Sequence, residues 1–408
     1  MSEPHHHLIG TSSASRLVSI DAFRGLTILL MVFVNELGGM KGVPGWLKHY
    51  PAAEDGMTFV DVVFPAFLFV MGMAVPFALG RRMAQGHSRW VLGRHVLSRT
   101  LALLVMGVFM VNMPAIEVAA TGMSRAAWSL LAYLSFILIW NDYRPASRSA
   151  RGVAIGLRVA GVLLLVVLAV MFRGKAGGEI VGMRTYWWGI LGLIGWAYLF
   201  GSAAYWVSGG RLAVVTGLLA LCIALFIGDK TGALGFLGVV HEYINVGGHV
   251  GGHTAVALAG MTVALVLVRR QGAGPAGTAR VVLLIGLMFA AGGFLLWQAY
   301  GVNKNAATPS WCLYSAAWCC VVFALSHWLI EGRRLTRWCA LVRPAGMNPL
   351  LAYILPSMVH ALLAVIGVEL LKTHLNEGWV GIVRSAVFAA GIVAATGLLG
   401  RLGVRLRV

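Results

Sequence analysis

Apolar residues in this chain come in long runs rather than in alternation. Windows of about 20 residues, the length a helix needs to cross hydrocarbon, fall near 22–38, 59–80, 92–112, 124–140, 152–172, 187–207, 211–228, 251–268, 279–300, 310–330, 346–367 and 379–400. The stretch 124–140 is short and the weakest of them. The pattern predicts an all-α integral membrane protein, a polytopic bundle of about 12 transmembrane helices, or 10–11 if the weakest windows fail. Residues 1–15 read as a disordered cytoplasmic tail and 16–408 as a single transmembrane domain.

Composition agrees. Of 408 residues, 59% are hydrophobic and 11% charged, where soluble domains carry about a quarter. The formal charge of +18 does not point to nucleic acid, because the arginines cluster between apolar runs. "GRRMAQGHSRWVLGRHVLSR", "DYRPASRSAR", "RRQGAGPAGTAR", "EGRRLTRWCALVRP" and the tail "RLGVRLRV" all fall on one side of a twelve-span map. By the positive-inside rule that side is cytoplasmic, with both termini there. The N-terminus lacks the features of a signal peptide, so the first span is expected to direct insertion. Cys222, Cys312, Cys319, Cys320 and Cys339 lack metal-ligand spacing and read as buried free thiols.

On this map "HYPAAEDGMTFVDVVFP", His49 to Pro65, lies on the outer side between the first two spans. Asn35 ends the first helix there and Asp61 begins the second. At the other end of the first helix stand Asp21, which reads equally well as a helix cap, and Arg24, which reads equally well as snorkelling to lipid phosphate. Arg24 and Asn35 are about 16 Å apart along a helix, a separation that suits an elongated ligand. "GVNKNAATPSW" places Asn303, Lys304 and Ser310 on the outer side, and "RPAGMNPLLAY" places Asn348 at a cytoplasmic helix start. Turn punctuation and a solvated lysine are the ordinary readings of those residues.

"RLVSIDAFRGLTILLMVFVNELGG", "FVDVVFPAFLFVMGMAVPFAL", "WWGILGLIGWAYLF" and "GMNPLLAY" together resemble the heparan-α-glucosaminide N-acetyltransferase family, whose bacterial relatives belong to a broader transmembrane acyltransferase group. The resemblance implies acetyl transfer from cytoplasmic acetyl-CoA to a sugar amine on the outer side, in a bacterial inner (cytoplasmic) membrane. It puts the active histidine at His49, after Lys48, with Asn35 and Asp61 matching the family's asparagine and aspartate. The loop "HYPAAEDG" is longer than its animal counterpart, so glucosamine or a related envelope amino sugar is expected as acceptor rather than heparan sulfate.

These residue types suit that chemistry. An imidazole titrating near neutrality accepts the amine's proton or attacks the thioester itself. A carboxylate at Asp61 fixes the tautomer, and the Asn35 amide donates to the thioester oxygen. Asp21, Arg24 and Asn348, with Asn303, Lys304 and Ser310, are the expected acetyl-CoA contacts, Arg24 through phosphate pairing. Glu54 and Asp55 are assigned to the acceptor.

"HEYINVGGHVGGH" offers His249 and His253 four apart, but HExxH is absent and the glycines argue against a secure helix. No metal is expected. His249, His253 and, from span eleven, His360 are expected to line an outer vestibule and contact sugar hydroxyls. The expected partners are therefore an amino sugar and the bilayer, with no nucleic acid; a homodimer is compatible with such a chain. The competing function is a secondary carrier for a sugar or amino sugar, against which the absence of a repeat between the two halves counts.

Overall fold

The computed structural model describes residues 17–270, 272–368 and 375–408; the expected tail, 1–15, lies outside them. Among the described residues ten helices are long and apolar enough to cross a bilayer. The pair Cys339–Met347 and Pro349–Val365, bent by 88°, makes an eleventh if counted as one span. Every window named above coincides with a helix or with this pair. The Arg125–Trp140 helix, at 16 residues, is shorter than the roughly 20 needed to cross hydrocarbon. The chain is thus an all-α polytopic membrane protein; among the described residues it also has a short β-hairpin, Gly174–Ala176 against Glu179–Val181, that the apolar pattern did not announce.

The chain forms two compact units, interleaved in sequence. Unit 1 takes residues up to Arg24, then His49–Leu101 and Ile194–Trp338. Its centre is the crossing of the Phe59–Ala84 and Thr254–Arg269 helices. A Cβ on Gly72 would run into the Ala257 carbonyl, and one on Gly260 into that of Phe69. The two glycines therefore let backbone touch backbone, the close approach that small residues permit between membrane helices. Thr254 to Leu267 is buried on every face, which is why that segment is apolar all round.

One expectation fails here. Val246–His253, the glycine-rich stretch, is helical, with the wide turn of a π-helix. Its first N–H groups find side-chain acceptors: Gly247 N donates to Asp229 Oδ2 at 3.0 Å and Gly248 N to Asn245 Oδ1 at 2.7 Å. A Cβ on Gly251 would press on the Cys222 carbonyl and one on Gly252 on that of Ala307. The glycines serve close packing, and caps and packing override their poor helix propensity.

Unit 2 takes Gly25–Lys48, Ala102–Leu193 and Cys339–Val408. Its aromatic core stacks Phe109 on Trp128, with Phe136 and Phe172 edge-on or tilted nearby, and Trp128 Nε1 donates to the Leu168 carbonyl at 3.1 Å. The 88° bend falls at Asn348, where the following Pro349 disfavours helical backbone. The Asn348 amide donates to Val404 O at 3.0 Å and accepts from Leu406 N at 3.1 Å, tying the bend to the C-terminal tail.

Candidate active site

The Phe59–Ala84 helix begins with a capping box. Thr58 accepts from Val60 N at 3.2 Å, and the Asp61 carboxylate reaches back to Thr58 N at 3.0 Å. The signal for this box in the sequence is Thr-x-x-Asp directly before an apolar run. The box holds Asp61 where the N-terminal end of the helix favours negative charge.

Asp61 is only 2% exposed and uses both oxygens. Oδ2 accepts from Tyr50 N, Thr58 N and Thr58 Oγ1 at 3.0, 3.0 and 3.2 Å. Oδ1 lies 2.7 Å from His49 Nδ1. A carboxylate only accepts, so the shared hydrogen belongs to Nδ1 and the lone pair of the ring is on Nε2. His49 itself is half exposed. From behind, Trp311 Nε1 donates to the Asp61 carbonyl at 3.2 Å.

The His49 loop is stapled to the segment joining the Pro275–Tyr300 and Pro309–His327 helices. Asp55 accepts from Trp297 Nε1 at 2.8 Å and Val302 N at 2.6 Å. Gly56 N donates to Val302 O at 2.9 Å, and Asn303 Nδ2 to Ala52 O at 2.7 Å. Asn303 also accepts from Ala306 N at 3.0 Å, while Ser310 Oγ donates to the carbonyl of Gly301, a residue with φ +64°. These bonds set Lys304 against the histidine: Nζ is 3.0 Å from Nδ1, 3.3 Å from Nε2 and 3.8 Å from Asp61 Oδ1. Burial pushes the Lys304 ammonium pKa down, opposed by the Asp61 charge. His49, Tyr50, Asp61, Asn303, Lys304 and Asn305 line an open cavity of about 310 Å³.

The expected residues thus separate. His49, Asp61 and Lys304 meet in unit 1, with Asp55, Asn303 and Ser310 engaged in holding the loop that carries Lys304. Glu54 is exposed and offers its carbonyl to Asn303 at 3.5 Å. Asp21 and Arg24 pair with each other at 3.3 Å. Asn348 spends its amide on the tail of unit 2.

His249 and His253 lie buried rather than along an open vestibule, their rings stacked 5.9 Å apart. His253 packs edge-on to Phe64 and Trp311. Bulky neighbours on packed helices, which spacing alone does not reveal, account for the difference. Asn35 and His360 line a cavity in unit 2 together with Glu36 and Arg384. Neither of those two ions was singled out from sequence, although each is a charge inside an apolar window.

Residues 16–243 match the family model described as "Domain of unknown function (DUF5009)", more than half of the chain. The chain belongs to this DUF5009 family. Heparan-alpha-glucosaminide N-acetyltransferase from Mus musculus is 39% identical over 101 residues, which is 25% of this chain and 15% of that protein. The Homo sapiens protein of the same name is 37% identical over 97 residues, 24% of this chain and 14% of that protein. The resemblance carried by the motifs is borne out at the family level. This DUF5009 chain matches only about 15% of the length of those relatives.

Proposed function

We propose that the protein is a membrane-embedded acetyltransferase that moves an acetyl group from acetyl-CoA to the amine of glucosamine or a related amino sugar. The observation that carries this reading is the His49–Asp61 pair: a half-exposed imidazole whose Nδ1–H is held at 2.7 Å by a buried carboxylate, leaving Nε2 as the reactive nitrogen. The acetyltransferase relatives support the reaction class. The arginine cluster directly after the second span, Arg81 to Arg99, supports an inner-membrane arrangement in which acetyl-CoA arrives from the cytoplasm and the His49 loop, on the other side of that span, faces outward.

As a base, Nε2 takes a proton from the amine as nitrogen attacks the thioester carbon. The C–N bond forms, the C–S bond breaks, and the departing thiolate takes the proton from the imidazolium. As a nucleophile, Nε2 bonds to the acetyl carbon first and the C–S bond breaks to release the thiolate; the amine then attacks that carbon, the C–Nε2 bond breaks, and the amine's proton passes by way of the freed imidazole to the thiolate. Both routes pass through an oxyanion, for which the Lys304 ammonium, 3.3 Å from Nε2, is the stabilising cation of this reading. Asp61 orients the ring and stabilises its cationic form in either case.

The test is to incubate purified protein in detergent with acetyl-CoA and glucosamine and follow free thiol. Turnover is expected, and His49→Ala is expected to lower it by about 10³-fold with an unchanged melting profile. Undiminished turnover in that variant would exclude the histidine mechanism. Uptake of glucosamine into acetyl-CoA-free proteoliposomes would favour a carrier instead.

A further inference from the structure

Unit 2 contains a second cavity, of about 340 Å³, whose wall bears ions that the reaction above does not use. Glu36 closes the Val18–Glu36 helix and is 7% exposed. Its Oε2 accepts from Arg384 Nη1 at 3.0 Å and its Oε1 lies 2.6 Å from His360 Nε2. Arg384 Nη2 also donates to the Glu36 carbonyl at 3.3 Å. The His360 ring is stacked 5.1 Å from Phe388, which fixes its plane.

A buried ion cluster is a poor way to hold helices together. Apolar side chains of similar volume usually do as well or better, because each buried ion costs several kcal/mol in lost hydration. Ionisable groups inside a membrane helix bundle are retained where something polar must be met. Two further features point the same way. Asn35, Asn376 and Ser357 also line the void, adding amides and a hydroxyl that both donate and accept. Arg384 Nε–H is buried with no acceptor among the described residues.

The lining also limits the ligand. An anion would face the Glu36 carboxylate, and a compact dication would face the Arg384 guanidinium. A polyol, whose every hydroxyl donates and accepts, matches the amides and hydroxyl. The Glu36 oxygens each keep a lone-pair position beyond the bonds already made, enough for one amine. The volume is at the small end for ligand pockets.

We propose that this cavity binds a hexose-sized amino sugar, with its hydroxyls on Asn35, Asn376 and Ser357 and its amine against Glu36. The assignment rests on the acetyltransferase reading only for the choice of an amine-bearing sugar. The experiment is calorimetric titration of the purified full chain with glucosamine, and separately with glucose, without acetyl-CoA. Saturable binding of glucosamine is expected, at least tenfold tighter than glucose. Val32→Phe, which narrows the void, and Asn376→Ala, which removes an amide from its wall, are each expected to weaken it at least tenfold. Val32→Phe and Asn376→Ala proteins that melt normally yet bind glucosamine like the wild type would overturn the proposal, as would equal affinity for the two sugars. Cavity-dependent binding with no acetyl transfer in the wild type would retire the acetyltransferase alone. Acetyl transfer in the wild type, with glucosamine binding unaltered in both variants, would retire the cavity alone.

Discussion

Lys304 Nζ stands almost equally far from the two ring nitrogens of His49, 3.0 Å from Nδ1 and 3.3 Å from Nε2. A nitrogen so placed in the ring plane would collide with Cε1, so the ammonium lies over the face of the imidazole. The Asp61 carboxylate meets the ring edge at Nδ1. The histidine is thus held by two partners of opposite sign in perpendicular directions.

Asp61→Asn is expected to keep the fold, because an amide oxygen still accepts from Tyr50 N and Thr58 N. It loses the charge that stabilises a cationic imidazole and permits the wrong tautomer. Thiol release should fall by about 10³-fold with little change in KM; a loss below tenfold would remove Asp61 from the mechanism.

Lys304 gives a dependence of stability on pH. Its folded pKa lies below the ordinary lysine value because burial penalises the ammonium. Between the folded and unfolded pKa values the unfolded chain binds more protons, so this residue makes stability rise with pH across that window. The wild type should therefore gain melting temperature relative to Lys304→Met as pH is raised from neutral toward the ordinary lysine range. Melting curves of the two proteins at matched pH measure it, and a gap that moves the other way contradicts the burial argument.

Asp55 positions the segment that carries Lys304 and is not needed to touch substrate. Asp55→Ala frees Trp297 Nε1 and Val302 N, and is expected to lower kcat by about tenfold to a hundredfold through misplaced groups. Trp297→Phe, which removes one of the two donors, should have a smaller effect in the same direction. Steady-state kinetics on both variants check the ordering.

Asn348→Ala separates a structural role from a co-substrate role. Both ends of the amide are bonded to the C-terminal tail, so the variant should lose about 1–3 kcal/mol and melt earlier, with an unchanged KM for acetyl-CoA. A raised KM with an unchanged melt would restore the co-substrate assignment.

Much of this architecture was legible because hydrophobic length is a one-dimensional signal. Each apolar window became a helix or the bent pair at Asn348, and the 16-residue Arg125–Trp140 segment fell short of a span. The motifs placed His49 beside Asp61 for a local reason: 12 residues and a Thr58 cap separate them. What the chain concealed is long-range. Asp55 and Trp297 are 242 positions apart and Glu36 and Arg384 348 apart, and no spacing rule pairs them. The glycines of Val246–His253 misled for a related reason, since their low helix propensity is overcome by caps and neighbours distant in sequence.

The crossing at Gly72 and Gly260 has a mechanical consequence. With carbonyl oxygens seated directly where side chains would otherwise intervene, no compressible layer exists between these helices, and neither can ratchet past its neighbour without lifting off entirely. The pair acts as a strut with Asp61 at one tip. Any opening and closing of the His49 pocket within unit 1 then falls to the loop that carries His49 and to the 297–308 segment, which are joined by individually breakable hydrogen bonds.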